Sequence, residues 1–207
     1  MKRIGTIWAA VVLAAMVLTT GCTKTAPKSQ PVVIKKAPAN AGPVVIIETS
    51  MGAIKAELWA DAAPITVKNF LAYADAKHFD GLIFHRVIQG FMIQGGGFDP
   101  AMMEKPTRDP IRNEASADKK NDRGTLAMAR TSAIDSATSQ FYINLVDNHR
   151  LNHYDKTFRG FGYCAFGKVI EGIDVVYKIG AVPVANFAGH PNVPTTPVLI
   201  KSIRRGK

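Results

Sequence analysis

One cation, one amide and several large apolar side chains fall inside the run Phe84-His85-Arg86-Val87-Ile88-Gln89-Gly90-Phe91-Met92-Ile93-Gln94-Gly95-Gly96. Strand alternation places Phe84, Arg86 and Ile88 on one face of a first arm and Met92 and Gln94 on one face of a second, with Gln89-Gly90 as the turn. A guanidinium is planar, permanently charged and presents its N–H groups in fixed directions, so beside apolar groups it can act as a donor. That chemistry requires no nucleophile and no metal. An isolated strand arginine is usually a solvated surface residue; Arg86 becomes a candidate because Phe91, Met92, Gln94 and, farther on, Gln140 accompany it in order.

Other chemistries find less support. Gly95-Gly96-Gly97 and the glycines from Gly160 to Gly167 lack a Walker lysine followed by serine or threonine, and read as bulges and turns. No Gly-x-Ser-x-Gly elbow is present. His149 and His153 have the i, i+4 spacing of a metal pair, but Asn148, Asn152 and Asp155 make their segment a loop, so no metal and no cofactor is assigned. His85 alternates to the face opposite Arg86 and reads as a satisfied structural histidine.

The elements that would position these residues are mainly strands. Val44 to Thr49 and Ile54 to Leu58 flank a Ser50-Met51-Gly52 turn. A helix follows, with an acidic start at Asp61, Pro64 in its first turn, and Val67, Phe70, Leu71 and Ala74 at helical spacing before His78-Phe79-Asp80-Gly81. Residues 97 to 123 read as a polar surface loop. Leu126 to Ala129, Gln140 to Leu145, Tyr163 to Ile170 and Val198 to Arg204 read as further strands, and Gly172 to Ile179 as a short helix. Many short strands and two helices predict an all-β, or mainly β, domain.

The hairpin resembles the signature of the cyclophilin family of peptidyl-prolyl cis-trans isomerases. The resemblance continues in Gly124-Thr125-Leu126-Ala127-Met128-Ala129-Arg130, in Ser139-Gln140-Phe141-Tyr142-Ile143-Asn144 and in Phe166-Gly167-Lys168-Val169-Ile170-Glu171-Gly172. It covers residues 43 to 207 and is most similar to the Gram-negative bacterial branch. It implies an eight-stranded antiparallel β-barrel closed by two helices, and an enzyme that rotates X-Pro bonds in unfolded or newly exported polypeptides. By the same resemblance Arg86 is the catalytic arginine, with Gln94 and Gln140 orienting it and the substrate. Phe91, Met92, Tyr142 and Leu151 form the proline pocket, Ala129 and Arg130 lie on the strand that pairs with the peptide, and Tyr163 stands at the rim. Three positions depart from the best-known pattern. Tyr142 replaces phenylalanine and brings a hydroxyl that needs a partner. Arg150 replaces an aromatic beside Leu151, which implies weaker cyclosporin binding and a second cation near Arg86. Arg130 replaces asparagine. The competing reading is a tethered peptide-binding chaperone or scaffold with little turnover.

Lys2 and Arg3 before an apolar run from Ile4 to Leu18 read as an export signal, too short to span a bilayer. Leu18-Thr19-Thr20-Gly21-Cys22 resembles a lipoprotein processing site, which divides the chain into a signal peptide (1–21), a Pro/Ala/Lys-rich tether (22–42) and the domain (43–207). Cys22 is then the lipid-bearing residue, and a periplasmic location on the outer membrane is expected. Cys164 is left to act as a small buried hydrophobe. Of the net charge of +10, Lys2 and Arg3 carry two and the tether lysines four, leaving 20 basic against 16 acidic residues elsewhere. With no basic stripe or interleaved aromatics, nucleic acid is not an expected partner. No heptad argues for an oligomer, and a monomer is expected.

Overall fold

The computed structural model describes residues 42–206, so the signal peptide, Cys22 and all but the last residue of the tether lie outside the described residues. The strands are β1 (Val44–Thr49), β2 (Gly52–Leu58), β3 (Arg86–Ile88), β4 (Met92–Gly95), β5 (Thr125–Met128), β6 (Phe141–Asn144), β7 (Ala165–Glu171), β8 (Val184–Phe187), β9 (His190–Pro194) and β10 (Ile200–Arg205). Helices α1 (Pro64–Asp75) and α2 (Ile173–Gly180), and a 3-10 turn at His149–Leu151, complete the described elements. Eight strands form one antiparallel sheet in the order β10-β1-β2-β7-β5-β6-β4-β3. The sheet curls until the segments preceding its two edge strands meet. Phe84 N–H donates to the Val198 carbonyl at 3.0 Å, and Ile200 N–H to that of Leu82 at 2.7 Å. This is the mainly β architecture with two helices that the sequence predicts.

The core lies inside the curl. Phe70, Phe79, Phe141 and Phe166 are buried there, and the Phe70 ring lies 5.1–5.3 Å from each of the other three. Val67, Phe70, Leu71 and Ala74 of α1 cover this cluster at the predicted helical spacing, while Val175, Val176 and Ile179 of α2 join the same core. Burying side chains of this size provides the main drive for closure, each contributing roughly 1.5–3 kcal/mol.

Two expectations need correction, and one element was not anticipated. Asp61 does not start α1, which begins at Pro64 with no acid in its first turn. Glu114, far along the chain, does that work: Ile65 N–H, Thr66 N–H and the Thr66 hydroxyl all donate to its carboxylate, at 3.1, 2.8 and 2.8 Å. A carboxylate at the helix start satisfies otherwise unpaired donors and complements the helix dipole. Phe84 does not share a face with Arg86. Because β3 begins only at Arg86, alternation does not extend back to Phe84, which enters the main core with Val87 and Ile93. Finally, β8 and β9 form a separate hairpin whose turn residues Ala188 and Gly189 have φ of 49° and 80°. Paired left-handed residues suit tight hairpins, but alanine is a poor advertisement for that conformation.

Candidate active site

The ladder registers assemble the site. Arg86 stands opposite Gln94 and Ile88 opposite Met92 across β3 and β4, while Gln94 stands opposite Tyr142 across β4 and β6. A cavity of about 120 Å³ results, lined by Arg86, Phe91, Met92, Gln94, Ala129, Arg130, Tyr142, Leu151 and Tyr163. Nine of the ten pocket residues inferred from the sequence meet here. Gln140 stands just behind the lining and touches Gln94. A wider cleft of about 660 Å³ lies around Arg123, Val146 and Ile170, but contains none of the candidate residues.

One wall carries the cation. Arg86 donates through Nη1 to Gln94 Oε1 at 3.4 Å, and Gln94 Nε2 donates to Gln140 Oε1 at 2.9 Å. Gln140 Nε2 in turn approaches Glu104 Oε1 at 3.5 Å. Gly97 makes room for this line, since a Cβ there would fall 2.6 Å from the Gln140 side chain. Its two predecessors, Gly95 and Gly96, likewise back onto Phe84 and Phe141, so the glycine triplet is a packing device.

The floor is apolar at its surface and polar beneath. Met92, Ala127, Tyr142 and Ala165 are buried there, with Ile88, Phe91, Ala129, Leu151 and Tyr163 packed against them. The Tyr142 hydroxyl, the departure that required a partner, donates to Asn121 Oδ1 at 2.7 Å. Burial pushes the phenol well above its usual pKa, so it remains protonated and a donor. Asn121 lies in the segment read as surface loop, yet it is fully buried. The sequence carried one faint signal: Asn144, Asn148 and Asn152 recur every fourth residue, and all three are buried around it.

The second cation of the lining is Arg130, whereas Arg150 is exposed and lies on a neighbouring cleft with Ile88 and Phe91. Arg130 Nε donates to the Gly162 carbonyl at 3.0 Å and Nη1 to that of Thr131 at 3.0 Å, with the guanidinium 4.6 Å from the Tyr163 ring centroid. Its side chain therefore shapes the rim through cation–π contact. Both Ala129 and Arg130 lie just beyond β5, which ends at Met128.

His85 is buried, and Nδ1 has no hydrogen-bond partner among the described residues, so it is not the fully satisfied histidine expected. Burial, reinforced by His190 and Arg86, lowers its pKa to about 4 and keeps it neutral near pH 7. Cys164 is also buried, and its thiol is pushed up to about 11, which fits the inert role expected of it. His153 Nδ1 lies 2.8 Å from the Phe161 carbonyl.

Fold and site together define a class, and residues 44–205 match the family model described as cyclophilin type peptidyl-prolyl cis-trans isomerase. The chain belongs to this family and is an enzyme of the isomerase class. Among its relatives, peptidyl-prolyl cis-trans isomerase B of Escherichia coli K12 is 51% identical over 160 residues, covering 77% of this chain and 98% of the relative. An Acinetobacter baylyi peptidyl-prolyl cis-trans isomerase is 52% identical over 166 residues, covering 80% and 87%. A crystal structure of a Cryptosporidium parvum cyclophilin-type isomerase superposes with a TM-score of 0.69 at 29% identity, covering 80% of this chain and 98% of that one. A second structure of that protein was obtained in the presence of the dipeptide Ala-Pro, again with a TM-score of 0.69 at 29% identity, covering 79% and 99%.

Proposed function

We propose that this protein accelerates rotation about X-Pro peptide bonds in unfolded or newly exported polypeptides, with Arg86 stabilising the twisted imide. Amide resonance makes the barrier ~18–20 kcal/mol, and no bond has to break. The proline ring occupies the floor between Phe91, Met92, Tyr142 and Leu151. As the bond twists, the imide nitrogen regains its lone pair, and the Arg86 guanidinium donates to it. An interaction of this kind speeds the step only because it is stronger in the twisted state than in either planar one. Gln94 and Gln140 hold the guanidinium and the preceding carbonyl, Ala129 and Arg130 offer backbone to the peptide, and Tyr163 borders the ring site. The observation that carries this reading is the hydrogen-bonded line Arg86–Gln94–Gln140 set against an apolar cavity. The Ala-Pro dipeptide named for the Cryptosporidium parvum structure supports a proline-containing ligand.

In this reading Cys22 carries lipid, and residues 23–42 hold the domain away from the outer membrane, on its periplasmic side. As an extended segment at ~3.1 Å per residue, the tether reaches ~60 Å. Lipid labelling of the wild type but not of Cys22→Ser tests the anchor; an unlabelled wild type ends it. For the reaction, cis-trans exchange of an Ala-Pro peptide is compared between wild type, Arg86→Ala and Phe91→Ala. Catalysis lost in Arg86→Ala with peptide affinity retained is the expected result. Binding without faster exchange in the wild type would leave a tethered peptide-binding module.

A further inference from the structure

Tyr142, Leu151 and Tyr163 of the cavity lining come from three separate segments, and one buried asparagine outside the lining joins them. Asn121 Oδ1 accepts from the Tyr142 hydroxyl at 2.7 Å, and Asn121 Nδ2 donates to the carbonyls of Leu151 and Tyr163 at 3.0 and 3.1 Å. Its own backbone is fixed on both sides: the N–H donates to Asn152 Oδ1 at 2.7 Å, and the carbonyl accepts from Asn148 N–H at 2.8 Å. Asn148 Nδ2 then donates to the Phe91 carbonyl at 2.9 Å and to Asn144 Oδ1 at 2.7 Å. Asn144 Nδ2 closes the circuit, 3.4 Å from Asn121 Oδ1.

We propose that Asn121 is the positioning residue of the pocket: it fixes the spacing of Tyr142, Leu151 and Tyr163, and the Tyr142 hydroxyl serves this lock rather than the ligand. The inference rests on reading the cavity as a proline site. A side-chain amide offers one acceptor oxygen and two donor protons, and all of this capacity is in use here. A hydroxyl is shorter and has a single proton. A carboxylate keeps the acceptor but turns an oxygen toward two carbonyls. Within a buried network each missing partner leaves a polar group unsatisfied, and the pocket walls must move to relieve it. Asn121 makes no hydrogen bond to Arg86, Gln94 or Gln140, so the lock governs how the proline is held rather than how fast a held bond rotates.

Exchange NMR on the purified protein with an Ala-Pro peptide reads affinity and on-enzyme rotation separately, and thermal melting reads stability. Asn121→Ala is expected to raise the peptide Kd about tenfold, the size of roughly one net hydrogen bond, and to change the bound-state rotation rate less than twofold. Tyr142→Phe removes only the hydroxyl, leaves the fold intact and is expected to raise Kd about threefold. The double variant is expected to bind no worse than Asn121→Ala alone, because one lock cannot be broken twice. A folded Asn121→Ala with wild-type Kd, a lower melting point with unchanged Kd below it, or strictly additive single effects would each overturn the proposal. If Asn121→Ala does not fold, Tyr142→Phe decides: unchanged Kd sinks the lock. A wild type that binds the peptide without speeding its rotation removes the isomerase reading, while the Kd series still judges Asn121.

Discussion

The two sides of the pocket are built in opposite ways. On the cation side, half-buried amides hold Arg86 through contacts of 3.4, 2.9 and 3.5 Å that end at an exposed glutamate. On the floor side, buried asparagines hold the walls through bonds mostly between 2.7 and 3.1 Å. The contrast follows from what each side has to do. A floor that grips a ring works best when rigid, whereas a guanidinium that meets a charge appearing only at the twisted state needs a bond free to shift toward it.

The contrast can be attacked at several depths. Arg86→Ala should lower kcat about 100-fold, the usual loss for one transition-state donor, with peptide Kd within twofold. Equal losses in kcat and affinity would show that the cation belongs to the floor's task. Acid should reach the cation side through His85, the buried, neutral chain neighbour of Arg86. A histidine whose folded pKa is lowered to about 4 from 6.5 contributes stability that is complete above pH 6.5 and is lost as pH falls toward 4. Comparing denaturant unfolding at pH 7 and pH 4.5, His85→Gln should lose about 2 kcal/mol less than wild type. An equal loss in both proteins would place the acid sensitivity elsewhere. Gly97→Ala should lower kcat about tenfold by displacing Gln140, with Kd little changed, since the added methyl would sit 2.6 Å from that side chain. Smallest is Arg130→Gln, which should raise Kd about threefold by releasing the Tyr163 ring while leaving kcat alone. A fall in kcat would move Arg130 to the cation side.

The cation side and the residues at the surface of the floor were readable in the sequence, and the lock beneath the floor was not. Arg86, Gln94 and their apolar neighbours lie within one hairpin, where two-residue alternation and a glycine turn determine who faces whom. Gln140 and Tyr142 share a face by the same rule. The floor lock joins residues 91, 121, 142, 148, 151 and 163, mostly through side-chain amides and backbone carbonyls that no periodicity announces. Asn121 also sits in a polar stretch, and polarity alone cannot distinguish a solvated asparagine from one whose partners are all protein. Glu114 was hidden for the same reason: its helix lies almost fifty residues away, and the nearer Asp61 offered a misleading local cap. The hairpin of β8 and β9 escaped because an alanine occupies a left-handed turn position.

The meeting of the first and last strands has a consequence in time. Strand β1 pairs with β10, the last of the described strands. Until residues 198–205 are available, β1 lacks its outer partner and the Leu82–Phe84 segment lacks the one it closes against. Closure of the sheet therefore waits until the whole domain, from β1 to β10, is available. Contacts this distant in sequence also make closure slow. Without β10 the sheet stays open, and the short segment from Val198 to Arg205 acts as the latch that closes it.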